Sequence, residues 1–178
     1  MKNILKSFLL LLAIPIFVFS LDVKVEKKDK DSDSKEASAV KDGIVKVFFK
    51  NKKLKSETPY VKGKKEGPYK EYYKNEVLKI EANYEKDLLE GAYKEYYSNG
   101  QVKEECVYKK GFKEGPFKTF YENGKKQSTG GYKKGQFEGQ FTLYNLDGSV
   151  QFEGKYKDGN QTDRKKAYDR LLDGPVKK

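Results

Sequence analysis

Cys106 is the only thiol in this chain, and there is no histidine anywhere in it. Ser–His and Cys–His nucleophile arrangements are therefore impossible, as is any His-ligated metal site. Carboxylates are plentiful, and Glu57, Glu81, Glu105 and Glu153 recur at one position of a repeating pattern. A glycosidase needs two such groups in unequal environments at one place. Recurrence at every rung reads instead as surface ion pairing. Glycines are frequent, but no Gly-Lys-Ser/Thr follows them, so they do not form a phosphate loop. The composition points to no enzyme, metal or cofactor. The remaining side chains with chemistry to offer are aromatic: Phe48, Tyr72, Tyr96, Phe120 and Tyr144, one per repeat.

The elements that place these residues follow from periodicity. Gly43, Gly67, Gly91, Gly115 and Gly139 stand 24 apart, with Tyr60, Tyr84, Tyr108, Tyr132 and Tyr156 seventeen residues after each. Eight residues after each Gly comes Asn51, Asn75, Asn99, Asn123 or Asp147, followed in the last three copies by Gly100, Gly124 and Gly148. Asn-Gly between two apolar-aromatic runs predicts a β-hairpin with a two-residue type I′ turn. That turn fixes a register in which paired positions sum to seventeen. Tyr97 then faces Val102. Val45/Thr58, Tyr69/Ala82, Tyr93/Cys106, Phe117/Gly130 and Phe141/Gly154 set large against small, which makes Cys106 a packed core residue. Each leading Gly lies opposite its Tyr, where a ring can cover bare backbone. Lys46/Glu57, Lys70/Glu81 and Lys94/Glu105 become opposed ion pairs, and only Glu95 against Glu104 fits badly. The aromatic column Phe48, Tyr72, Tyr96, Phe120 and Tyr144 is expected opposite Lys55, Lys79, Lys103, Gln127 and Gln151. It forms either a structural cation–π ladder or an extended recognition surface for a protein segment or sugar rings.

The fold class this predicts is all-β: residues 43–162 as five 24-residue hairpins in one elongated antiparallel meander sheet. Its ten strands would span about 48 Å at ~4.8 Å each. The hydrophobic fraction is 36% and the charged fraction 37%, which alone would suggest disorder, but aromatics at 14% argue for a thin ordered sheet. Arrays of this kind contact mainly their neighbours and need capped ends.

The flanks read differently. Residues 1–20 look like a secretory signal, with Lys2 and Lys6 ahead of an apolar run from Phe8 to Phe19, and Val18 and Ser20 suited to a cleavage site. Such a run is short of the roughly 20 residues needed to cross a bilayer. No Cys follows it to accept a lipid, and an uncleaved anchor is the other reading. The expected location is thus exported: periplasmic, cell-surface or secreted. Residues 21–42 read as a disordered charged linker. Over 163–178, Asp163 can N-cap a short helix with Tyr168, Leu171 and Leu172 on one face, stopped by Gly174-Pro175, that would cap the last hairpin.

The unit Gly91-Ala-Tyr-Lys-Glu-Tyr-Tyr-Ser-Asn-Gly100, matched by Gly115-Pro-Phe-Lys-Thr-Phe-Tyr-Glu-Asn-Gly124, resembles the MORN repeat. In particular it is similar to the bacterial subtype of the YwqK-family antitoxin repeat proteins. Copies one and two depart at the turn, with Lys52 and Glu76 where Gly is expected, and copy five has Asn145 for the second Tyr. The resemblance implies a non-catalytic scaffold for protein or membrane contact. Its antitoxin subtype implies a toxin partner, acting in the envelope if the chain is exported.

Two functions follow as expectations. The first is an exported scaffold that binds another protein, a toxin or envelope protein, through Phe48, Tyr72, Tyr96, Phe120 and Tyr144 with Lys55, Lys79 and Lys103. The second is peripheral binding to anionic lipid or acidic cell-wall polymer. It rests on 24 basic against 17 acidic residues over 43–162, a net +7, and a further +3 over 163–178. Lys and Glu are interleaved with no basic block, which is a solvated surface and not a nucleic-acid interface. The two open sheet edges leave pairing with other chains open.

Overall fold

The computed structural model describes Asp22–Lys24 and residues 41–163. Every strand among them belongs to one sheet. The first is β1 (Asp22–Lys24). Each 24-residue copy then adds a strand of six residues, one of eight and one of two. These are β2 (Gly43–Phe48), β3 (Leu54–Val61) and β4 (Lys64–Lys65); β5 (Gly67–Tyr72), β6 (Leu78–Glu85) and β7 (Leu88–Leu89); β8 (Gly91–Tyr96), β9 (Val102–Lys109) and β10 (Phe112–Lys113). The last two copies give β11 (Gly115–Phe120), β12 (Lys126–Lys133) and β13 (Gln136–Phe137), then β14 (Gly139–Tyr144), β15 (Val150–Lys157) and β16 (Asn160–Gln161). Consecutive hairpins lie side by side, all antiparallel, and the short third strand of each copy folds back on the eight-residue strand. The exception is β1, which pairs parallel to β2 through Asp22↔Ile44, Val23↔Val45 and Lys24↔Lys46. It comes from within the stretch expected to be a structureless tether and covers the first open edge. The expected signal segment and the capping helix lie outside the described residues.

The register follows the seventeen rule through the first five residues of each copy. Gly91↔Tyr108, Tyr93↔Cys106, Lys94↔Glu105 and Glu95↔Glu104 are paired, and the other four copies repeat the pattern. A β-bulge then shifts it by one, so Tyr96, and not Tyr97, pairs with Val102. The turn explains the shift. Tyr97 N–H donates to Gln101 O at 2.8 Å and Gly100 N–H to Tyr97 O at 2.9 Å. Positive φ falls on Gly100 alone of these residues (86°), with Glu76 at 68° and Lys52 at 63° in its place in earlier copies. This is a longer loop in which one left-handed residue follows the turn, not the two-residue type I′ turn expected. Asn99 Oδ1 holds the loop from inside by accepting Gln101 N–H at 2.9 Å.

Type I′ geometry occurs at the other end of each copy. Lys110 and Gly111 both have positive φ (51° and 82°), as do Lys62–Gly63, Lys86–Asp87, Lys134–Gly135 and Asp158–Gly159. These two-residue loops join the eight-residue strand to its short partner. Glycine in four of the five second positions relieves the steric cost of positive φ.

One face of the sheet carries the core. Val45, Tyr60, Ser56, Thr58, Ala82, Cys106, Phe117 and Ser128 are all buried on the face of the Gly–Tyr column, while Thr142, opposite Glu153, is buried on the other. The rings interlock along the sheet: Tyr69–Tyr84 at 5.6 Å, Tyr93–Tyr108 at 5.3 Å and Phe117–Tyr132 at 4.7 Å between centroids. Large against small holds for a steric reason at Gly130, where an added Cβ would sit 2.7 Å from Phe117 Cε1.

Candidate functional site

Neighbouring copies are fastened along both turn margins, which is what makes a continuous outer face. On one margin Tyr73, Tyr97 and Tyr121 donate their hydroxyls to the carbonyls of Tyr96, Phe120 and Tyr144 of the next copy, at 2.7, 2.8 and 2.6 Å. On the other, Glu66, Glu90, Glu114 and Glu138 accept the first N–H of the next type I′ turn, from Lys86, Lys110, Lys134 and Asp158 at 2.7–3.0 Å. A carboxylate on a backbone N–H makes a strong, short bond. These glutamates recur in the sequence just ahead of each leading Gly. Their role was not foreseen, because only the folded array brings residues 20 apart together.

The structure corrects the expected aromatic–lysine ladder. Beyond the bulge the partners of Phe48, Tyr72, Tyr96, Phe120 and Tyr144 are Leu54, Leu78, Val102, Lys126 and Val150. Lys55, Lys79, Lys103, Gln127 and Gln151 occupy the extra bulge position instead. From there Lys79 pairs with Glu71 and Lys103 with Glu95, each at 2.7 Å. Each ammonium also lies about 6 Å over the second Tyr of its copy, Tyr73 at 5.9 Å and Tyr97 at 6.0 Å. The hydrogen bond to the carboxylate holds both ammonium groups above the usual lysine range. Lys55 lines a hollow with Phe49, Glu71, Tyr73 and Lys79. The cation–π contact is real, but with the neighbouring ring and a carboxylate between the strands. The physical reason is the extra residue, since a bulge re-aims the side chain it inserts.

The outer face that remains has two stripes. The aromatic column and its aliphatic partners are half-buried from Phe48/Leu54 to Tyr96/Val102. Beside it runs an alternating charge ladder. Glu57 lies between Lys46 and Lys70, Glu81 between Lys70 and Lys94, and Glu105 between Lys94 and Lys118. Lys46–Glu57 closes at 3.6 Å and Lys94–Glu105 at 3.1 Å. The stripes touch where Tyr96 reaches Glu81 at 3.5 Å. Burial, and then Glu81, raises the Tyr96 phenol. A third feature was missed from sequence: Val61, Leu88, Val107 and Phe112 are 41–58% exposed on the type I′ margin of the same face.

The candidate catalytic groups are absorbed by the fold. Burial and the nearby Glu104 push the Cys106 thiol up to about 11, far from a reactive thiolate. The opposed acids Glu95 and Glu104 each have a cation of their own, Lys103 for the first and Lys113 for the second. Among the described residues no three His, Cys, Asp or Glu side chains gather where they could hold a metal ion.

The MORN repeat variant matches the chain at residues 41–62, 65–86, 89–110 and 113–134. Each matched segment ends on the first residue of a type I′ turn, so the family period and the structural period coincide. The fifth hairpin, β14 to β16, lies beyond the matched segments and keeps the same register. No curated protein matches the chain. MORN repeats are generally protein- or membrane-binding scaffold motifs, and proteins built from them are generally non-catalytic. Residues 41–134 are four tandem MORN repeats of the variant family.

Proposed function

We propose that this chain is an exported, non-catalytic scaffold that binds another protein of the cell envelope on the outer face of its sheet. The observation that carries this reading is the half-buried apolar stripe from Phe48/Leu54 to Tyr96/Val102 on a single-layer sheet. Among the described residues nothing packs over it. Tyrosine there offers rigid contact area with a polar handle, and the adjoining Lys/Glu rungs would fix a partner's register. Of the bulge lysines, Lys79 and Lys103 are held by Glu71 and Glu95, and Lys55 shares a hollow with Tyr72. The antitoxin-subtype resemblance would supply a toxin acting in the envelope as the partner. The test is capture from cell-surface extract by residues 21–178, compared with Tyr72→Ala plus Tyr96→Ala. A partner recovered by the parent and lost by the variant supports the reading, whereas equal recovery would refute it.

The second reading, attachment to anionic lipid or acidic wall polymer, is favoured by the net +7 of residues 43–162. Lysine also occupies the first type I′ turn position in four copies. Flotation with anionic vesicles across a salt series decides it, because electrostatic attachment weakens as salt screens it.

A further inference from the structure

The aromatic stripe occupies one margin of the outer face, where Leu146 and Val150 are also exposed at 56% and 52%; the opposite margin carries a second set of exposed apolar side chains. Phe112 is 58% exposed and Leu88 48%. They are not scattered. Leu88 Cδ2 lies 3.5 Å from where a Cβ on Gly111 would be, and Phe112 Cδ1 lies 3.5 Å from the same point on Gly135. Each therefore leans over the turn of the following copy, and the two form one continuous row. Val107 (41% exposed), on the strand between them, is paired with Ala92, and Val61 (47%) extends the patch on the side of copy one. A contiguous exposed apolar patch of this kind marks an interaction site.

Its charge surroundings say what it fits. Lys109, Lys110, Lys133 and Lys134 are exposed around Phe112, and none forms an ion pair among the described residues. The acids of this margin already have partners, Glu85 beside Leu88 pairing with Lys86 at 3.7 Å. Glu90, Glu114 and Glu138 hold turn N–H groups, and Asp87 accepts Lys65 N–H at 2.9 Å. The patch is also local. The same position holds Lys64 in copy one, Gln136 in copy four and Asn160 in copy five, so at this position an apolar side chain occurs only in copies two and three, with Val61 of copy one beside them. A membrane would favour an apolar row repeated along the whole margin, while a segment of one protein needs only a short one. We propose that Leu88, Val107 and Phe112, rimmed by Lys109, Lys110, Lys133 and Lys134, dock an acidic protein segment carrying apolar side chains. This rests on the protein-binding reading and names the chemistry of the partner.

The probe is a labelled library of 15-residue peptides mixing Asp and Glu with Leu and Phe, with Asn and Gln replacing the acids in its control. Binding to residues 21–178 is followed by fluorescence anisotropy at low and high salt. The acidic library is expected to bind and the neutral one not. Leu88→Ser plus Phe112→Ser should weaken binding at least tenfold, since truncating central apolar anchors costs above 1 kcal/mol. Lys109→Gln plus Lys133→Gln should flatten the salt dependence. All four positions are exposed, and an unchanged melting curve confirms folding. Equal binding of both libraries overturns the proposal, as does tight binding to anionic vesicles that the Leu88/Phe112 variant loses while peptides do not bind. If that variant still captures the envelope partner and the Tyr72/Tyr96 variant does not, this surface is refuted and the protein-binding reading stands.

Discussion

Glu104 and Lys113 form an ion pair inside the aromatic core face, and the repeat supplies its own control. The two positions hold Ile80 and Leu89 one copy earlier. The side chains keep only 17% and 24% exposure, and the ammonium lies 5.4 Å over the Tyr132 ring. Burial pulls the Lys113 ammonium down, but the Glu104 carboxylate outweighs it and the net direction is up. Glu104 also faces Glu95 directly across the strands. Removing one member of a fully buried pair costs about 3–5 kcal/mol; with this much residual exposure about 2 kcal/mol is expected for Lys113→Leu or Glu104→Ile alone. Lys113→Leu should be the worse, because it leaves two carboxylates opposed. The double variant restores the apolar rung of copy two and should lie within about 1 kcal/mol of the parent. Urea unfolding followed by circular dichroism reads this. At an m-value of about 2 kcal/mol/M each single variant loses about 1 M in midpoint and the double recovers it. A double variant as unstable as the two losses added together would show that the rung needs its charges, and the reasoning would fail.

Lys52 holds a left-handed φ of 63° where the third, fourth and fifth copies have Gly. Lys52→Gly should therefore stabilise the first hairpin by about 0.5–1 kcal/mol, the relief of left-handed strain less the added chain entropy of glycine. Amide exchange of Gly43–Phe48 checks this, and faster exchange would contradict the turn assignment. Stability should also fall at alkaline pH. Burial, followed by neighbouring carboxylates, raises the phenols of Tyr69 and Tyr93 above their ordinary 10.0 and the Cys106 thiol from 9.0 to about 11. The folded state therefore holds these protons more tightly than the unfolded chain. The contribution is complete below pH 9 and is lost as pH rises through 9 to 11 and beyond. Urea midpoints at pH 7, 9, 10 and 11 should decline over the last three, and a flat profile would show these groups to be exposed.

The hairpin array and its core were legible because both are local and repeated. Residues 24 apart must occupy equivalent places, and a period of two within each run assigns faces, so the Gly–Tyr column, the large-against-small pairs and the placing of Cys106 in the core followed from spacing. The turns were legible only in position. Asn99-Gly100 suits two hairpin loops, and one extra residue on the strand after the turn distinguishes them. That residue moved Lys79 and Lys103 off the aromatic column and onto Glu71 and Glu95. The Glu66-type caps and the Tyr73-type hydroxyl bonds reach residues 20 and 23 away in the following copy, a distance no local pattern expresses. The Leu88–Phe112 row likewise exists only once turns stack. Leucine and phenylalanine in a strand ordinarily signal a buried position, and only the single-layer sheet, with no second layer among the described residues, leaves them in water. Sequence alone determined the period, the pairing and the buried face, because those depend on residue type and parity. Tertiary structure decided which surface is presented, because that depends on one inserted residue per hairpin and on how each copy rests on the next.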